Sequence, residues 1–408
     1  MTAQMKLGML AVASLAACAS PSPRAAGDSS PEGLYFLERS AAAGGDSSSL
    51  EIVALPGAPV RYWGRWIRGG EAGSRPLRVV TLRGNELTVV APMDNSEATF
   101  RLRFASAALD SFTGEWTRDT ARVSLRGVRR SRSVSAELRA MASAEPFAPS
   151  VISTDSGESF GSLSPDGREL YFTRHTPNWA RHTIVVSRFD GARWQAPEAV
   201  PFSGEYSDRE PNLSPDGRQL FFSSNRPAVQ GGERSRRRDL WVAERARVGA
   251  PWGAPRRLPA PINSDGEELC AVVTRSGTLY FVSQRADTIG SNDIYRARFV
   301  NGRYAQPENL GPAVNTKQAE SNVYVTPDER VMLLIADARP DGAGGDDIYV
   351  STNEGGVWSP ARHLGPAINS FEYDYSPVLS PDGKWLFFTS HRRGTGDIYR
   401  VDASVIGR

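Results

Sequence analysis

From residue 145 onward, short apolar runs alternate with turns rich in Pro, Asp and Gly, and the pattern repeats. Its clearest unit is Ser164-Pro165-Asp166-Gly167 followed by "RELYFTR". It returns as "SPDGRQLFFSSNR" from Ser214, "TRSGTLYFVSQR" from Thr274, "TPDERVMLLIADAR" from Thr326 and "SPDGKWLFFTSHR" from Ser380. The third residues of these tetrads, Asp166, Asp216, Ser276, Asp328 and Asp382, stand 50, 60, 52 and 54 positions apart. Proline before Asp-Gly presets a tight turn, and glycine can take the positive φ that the turn asks for. With apolar residues on both sides, each unit predicts a β-hairpin. A third strand follows in "DLWVAE" from Asp239, "DIYRAR" from Asp293, "DIYVST" from Asp347 and "DIYRVD" from Asp397, with "TIVVSR" from Thr183 in the first unit. A fourth element opens on an aromatic residue and a proline, as in Trp194…Pro197 and Trp252…Pro255. Four short strands per unit of about 50 residues predict a propeller blade. No stretch carries sustained helical periodicity, which excludes a helical solenoid.

The last unit stops after its third strand, while a fourth-strand-like segment, "EPFAPSVIST" from Glu145, stands alone before the first. If that segment completes the last blade, no sheet edge is left open. The expected fold is therefore all-β, a five-bladed propeller over residues 145–408, with six blades as the alternative. Residues 32–132 have a different texture. Alternating segments such as "GLYFLER", "LRVVTLRGNELTVVAP" and "ARVSLRGV" predict about seven antiparallel strands, closed into a small β-barrel-like domain. Residues 133–144 read as a linker with room for a short helix.

The residues "SPDG…LYF…R…DIY" resemble the TolB-like, WD-repeat-like propeller repeat of bacterial periplasmic proteins, over about residues 145–402. Units three and four depart from the pattern at Arg275-Ser276 and Glu329. TolB itself is similar to a six-bladed ring with shorter units, which argues against direct equivalence. The resemblance implies work through protein partners.

The N-terminus bears on location. Lys6 precedes an apolar run, Leu7 to Ala17, too short to span a bilayer but suited to a signal-peptide core. Its end, Leu15-Ala16-Ala17-Cys18, resembles the lipobox of bacterial lipoproteins. That resemblance implies a signal peptide over 1–17, acylation of Cys18 and, with Ala19 next, an outer-membrane lipoprotein facing the periplasm or the cell surface. Residues 18–31 read as a flexible tether. The other cysteine, Cys270, lies in the apolar run "ELCAVV" and reads as an inert buried thiol. A formal charge of +2 gives no global field that would favour nucleic acid. Of the basic residues only Lys6, Lys317 and Lys384 are lysine, and the densest basic cluster, Arg234 to Arg238, reads as a solvated loop.

Candidate chemistry is sparse. "GESFG", Gly157 to Gly161, fits the G-x-S-x-G of a serine-hydrolase elbow, but a strand and hairpin follow it where such an elbow needs a helix. Ser159 also falls at a repeat position held elsewhere by Arg209, Leu269, Ser321 and Tyr375, so the match reads as chance. No metal-ligand spacing or cofactor loop is present, and neither a metal nor a cofactor is expected.

What does recur is an acid eight residues before each turn residue: Glu158, Asp208, Glu268, Glu320 and Asp374. Five positions earlier stand Ser153, Ser203, Asn263, Asn315 and Asn369. Each acid could cap backbone N–H groups in the turn entering its blade. Alternatively, the five could form an acidic funnel at the channel mouth, binding a cation or a basic peptide. Arginine at the end of the second strand recurs with the third-strand aspartate, as Arg226/Asp239, Arg285/Asp293, Arg339/Asp347 and Arg392/Asp397, and predicts a structural ion pair across that hairpin. The leading functional expectation is a lipid-tethered, monomeric, non-enzymatic binding or scaffold module with an envelope protein partner. The rival is a carbohydrate-active or glycan-binding propeller using channel-mouth carboxylates, which would need unequal acids and aromatic platforms near the axis.

Overall fold

A computed structural model of the chain describes residues 33–407, apart from 40–47, 56–60, 69–73, 78, 94–95, 106–108, 110, 119, 132–135, 142, 155, 177–178, 230 and 393–394. The expected signal peptide, Cys18 and the expected tether lie outside the described residues. Among those described, no helix is long and apolar enough to cross a membrane.

The described residues fold as two all-β parts. Residues 33–131 form one nine-stranded antiparallel sheet in which the first strand, Gly33–Arg39, pairs with the last, Ala121–Ser131. The sheet wraps around one core that includes Tyr35, Leu50, Phe100, Phe104 and Phe112. The count exceeds the expected seven because "LRVVTLRGNELTVVAP" folds as two strands, Val79–Arg83 and Glu86–Met93, and the short Ser74–Pro76 is another. A short helix, Ala136–Met141, leads into the second part.

There, five sheets follow one another as blades, four of them four-stranded and one five-stranded. Blade 1 runs Gly157–Leu163, Glu169–His175, His182–Arg188 and Glu198–Ala199. The inner strands of blades 2 to 5 are Asp208–Leu213, Glu268–Val273, Glu320–Val325 and Asp374–Leu379. Each inner strand touches the next, and the fifth returns to the first, so the ring is closed around an axis. The closing strand is Glu145–Pro146, which pairs with Asp397–Asp402 of blade 5. Ser153 reinforces the seam, since its Oγ donates to Ile398 O at 2.8 Å and accepts from Ile398 N at 3.2 Å. The same clip recurs without sequence identity. Asn263, Asn315 and Asn369 each accept from and donate to one third-strand residue of the preceding blade, Leu240, Ile294 and Ile348. A primary amide can do both at once, which is why asparagine suits the site.

The tetrads are the expected turns. Asp166, Asp216 and Asp382 each accept from the tetrad serine at 2.6 Å and from a backbone N–H two residues on. The two irregular units prove to be coupled. Glu329 stands in blade 4 where glycine stands elsewhere, at φ +59°. Its carboxylate reaches into blade 3, accepting from Ser276 Oγ at 2.5 Å, Thr274 Oγ1 at 2.9 Å and Tyr280 Oη at 2.9 Å. Blade 3 lost its turn carboxylate, and blade 4 supplies one.

Glu329→Gly would relieve a left-handed φ worth about 1–2 kcal/mol but remove three hydrogen bonds of about 1 kcal/mol each. A net loss of about 1–2 kcal/mol is expected. Ser276→Asp alone sets two carboxylates together, and adding Glu329→Gly relieves them. A double-mutant cycle by urea denaturation should therefore show coupling above about 1 kcal/mol, whereas additivity within about 0.5 kcal/mol would refute the exchange.

Candidate functional site

The five recurrent acids are all fully buried, at 0 % exposure, so the open acidic funnel is not what the structure holds. Four of them accept a hydrogen bond from the backbone N–H four residues earlier. These are Thr154 to Glu158 at 3.1 Å, Ser264 to Glu268 at 3.0 Å, Thr316 to Glu320 at 2.9 Å and Ser370 to Asp374 at 2.6 Å. The hydroxyls of the same four residues donate to the same carboxylates. Asp208 takes Ser224 Oγ instead, at 2.6 Å. Burial raises the carboxyls of Glu158, Glu320 and Asp374, against the lowering effect of these donors and of nearby arginine.

The arginines complete this lock, and here the expected pairing needs correction. Arg226, Arg285 and Arg339 do not reach Asp239, Asp293 and Asp347 but the inner-strand acids Asp208, Glu268 and Glu320, at 2.9, 3.6 and 2.8 Å. In blade 5 Arg392 likewise reaches Asp374, at 3.0 Å. Burial does not separate the two sets, since Asp239, Asp293 and Asp347 are buried as well, and every buried carboxylate needs donors of its own. The third-strand acids find partners nearby: Asp239 binds Arg257 in bidentate fashion, Asp293 accepts from Ile289 N and Gly290 N, and Asp347 from Ala343 N. Asp397 is buried in the matching place. The "DIY" tyrosine and the second-strand aromatics form the bed for the guanidinium. Arg285 lies 4.9 Å over Tyr295, Arg339 4.6 Å over Tyr349, and Arg392 5.0 Å over Tyr399. Blade 1 lacks this arginine and uses Arg174, at 3.3 Å from Glu158.

With the acids spent on the frame, the candidate site is a cavity of about 580 Å³ to which all five blades contribute. Sequence reasoning missed it, although a signal was present. Its wall includes the residue after each acid, namely Ser159, Arg209, Leu269, Ser321 and Tyr375, a repeat position where only the serine of blades 1 and 4 recurs. A second such position, just before the third strand's usual aspartate, contributes His182, Asn292 and Asp346. Ser159 is thus a mid-strand residue facing Thr173, with no elbow around it. Trp179 stands exposed on this wall, stacked on His175 at 3.8 Å and near-parallel to His391. Trp252 packs away from it, its Nε1 donating to Tyr171 Oη.

Beside the cavity, hydrogen bonds link blade to blade. Glu210 N donates to Thr173 Oγ1, Cys270 N to Glu210 Oε2, Asn322 Nδ2 to Cys270 Sγ, and Ser376 N to Asn322 Oδ1. Cys270 is buried within this belt, and burial, then Glu210, pushes its thiol well up, as an inert cysteine requires. Charges on the wall are unequal. Arg209 faces Glu210 at 3.3 Å and Arg238 holds Glu267 at 2.7 Å. Burial, then Asp337, Asp347 and Asp374, raises Asp346 to about 6. Burial also lowers His182 and His391 to about 4 each, aided by Arg209 at His182 and by His175 at His391. Among the described residues no group of three or more His, Cys, Asp or Glu could hold a metal ion.

The fold defines the C-terminal part as a β-propeller with a cavity at its axis. No family model matches the chain, nor does any curated protein. Solved structures similar to it include a putative TolB from Agrobacterium tumefaciens, at 17% identity over 61% of this chain and 78% of that one, TM-score 0.39. The periplasmic gluconolactonase of Pseudomonas aeruginosa is 15% identical over 91% and 93%, TM-score 0.35. Prolyl oligopeptidase B from Galerina marginata is 12% identical over 84% of this chain but 47% of its own length, TM-score 0.33. At such TM-scores the likenesses carry no argument about activity.

A histidine lowered in the folded state adds stability above its ordinary pKa, and that stability is lost as pH falls toward the folded value. His182 and His391 should each withdraw up to about 1.4 kcal/mol per unit between pH 6.5 and 4. Chemical denaturation across this window should show a smaller loss for a His182→Gln, His391→Gln chain than for the wild type. Equal slopes would show that the imidazoles titrate freely.

Proposed function

We propose that this protein is a monomeric, lipid-anchored binding module of the bacterial cell envelope, held at the outer membrane through Cys18, and that it recognises an envelope protein partner at the axial cavity. The observation that supports this reading is the contrast between two kinds of repeat position. The acids, their arginine partners and the clips recur from blade to blade. The flanking positions that line the cavity, from Ser159 to Tyr375, are all but unshared, and Trp179 and Tyr373 stand exposed at the same wall. A recurrent frame whose cavity-facing positions differ from blade to blade suits recognition. Exposed aromatic rings offer contact area at low entropic cost, which suits a protein interface.

The carbohydrate reading keeps one supporting observation. Glu210 and Asp346 share the cavity in unequal surroundings, with aromatic rings beside them, as glycoside chemistry needs.

Full-length protein in detergent, mixed with solubilised envelope and cross-linked, should recover a defined partner. Recovery should fall at least about tenfold with Trp179→Ala and Tyr373→Ala combined, the loss of about 1.4 kcal/mol expected for removing anchor aromatics, at unchanged melting temperature. Undiminished recovery would place recognition elsewhere. Release of sugars from envelope polysaccharide, abolished by Asp346→Asn, would replace the binding reading with the enzymatic one.

A further inference from the structure

The cavity wall has one charge too many. Arg209 is matched by Glu210, and Glu267 by Arg238. Asp346 lines the same cavity, half-buried, with no hydrogen-bond or ion-pair partner among the described residues. The groups around it make this worse. Asp337 is its cross-strand neighbour, Asp347 follows it, and Asp374 also acts on it. Like charges opposed across a sheet are destabilising, and a frame that pairs its other buried acids leaves this one open.

Two further acceptors on the wall are unspent. Asn292, at the same repeat position in blade 3, has its Oδ1 buried without a partner. His182 has Nδ1 on Ser207 Oγ at 3.1 Å and Nε2 buried without a partner. In the tautomer that donates Nδ1–H to the serine, Nε2 is a lone-pair acceptor. His182 and His391 stay neutral near pH 7 and so cannot offset Asp346. The wall therefore offers a carboxylate and neutral acceptors beside the exposed rings of Trp179 and Tyr373. A neutral or anionic ligand would leave the carboxylate unmatched, whereas a cation with an apolar stem would use all of it.

Resting on the reading of the cavity as the recognition site, we propose that what enters it is a lysine side chain of the partner, its ammonium matched by Asp346 and its stem laid against Trp179 and Tyr373. An ammonium presents three donors and no acceptor, which fits the open carboxylate of Asp346 and the unspent Oδ1 of Asn292. Its compact charge needs no planar fork of paired oxygens, as a guanidinium would.

The test is calorimetric titration of the full-length protein in detergent with N-acetyl-lysine methylamide, beside the same compound acetylated at Nε. The free amine should bind at least about tenfold tighter than the acetylated form, the ratio expected for about 1.4 kcal/mol from one partly desolvated ion pair. Asp346→Asn should erase that difference, and Asn292→Ala should reduce it. Since Asp346 is repelled by its neighbours, the Asn variant should fold at least as well as the wild type. Equal binding of both compounds, or binding of neither, overturns the lysine assignment. If partner recovery still depends on Trp179 and Tyr373, the cavity reading survives that failure. If recovery is also independent of them, both fall.

Discussion

The propeller depends on a carboxylate taken out of water at the start of each inner strand. An isolated buried charge is costly enough that its neighbours must be arranged around it. In blades 2 to 5 an arginine from the second strand supplies the counter-charge, and in four of the five blades the turn entering the blade supplies a backbone N–H and a hydroxyl. The acid's own N–H donates to the preceding blade, at Gly396 O for Glu158, Arg238 O for Glu268 and Asn292 O for Glu320. One residue thus ties a turn, a hairpin and a neighbouring blade. The close fit also explains Gly290, where a Cβ would lie 2.0 Å from Gln318 O of the next blade's entry turn.

This lock separates frame from site. Because the frame's acids are consumed internally, whatever the protein recognises must be met by residues beside them. Those residues point to the axis from strands that the lock holds in register. Breaks in the inner ladders, such as those between Arg209 and Asn212 or Tyr375 and Val378, accompany that change of direction. The non-glycine residues at positive φ within them, Glu210, Cys270 and Ser376, are the ones that link blade to blade around the axis.

Much of the fold was legible in the sequence, because it is written five times. The turn tetrads, the blade period and the closure by residues 145–146 all follow from local pattern and the cost of an open edge. The pairing of Arg226 was not legible, since Asp208 and Asp239 are both buried acids at a repeat position, and only tertiary geometry, with Arg257 taking Asp239, distinguishes them. The cavity was overlooked for the opposite reason. Attention to what recurs passes over Ser159, Arg209, Leu269, Ser321 and Tyr375, whose shared property is position and not chemistry. Trp179 carries no repeat signal at all, and its place on the wall is set by tertiary packing.

The central claim, that the recurrent acids are internal struts and the axial cavity is what remains for recognition, is tested most directly by carboxyl footprinting. The folded protein would be treated with a carbodiimide and an amine, digested and read by mass spectrometry. Glu158, Asp208, Glu268, Glu320 and Asp374 should stay unmodified until the chain is unfolded, while Asp346 reacts in the native state. Native labelling of the five at the rate of exposed carboxylates would restore the open acidic mouth and contradict the account.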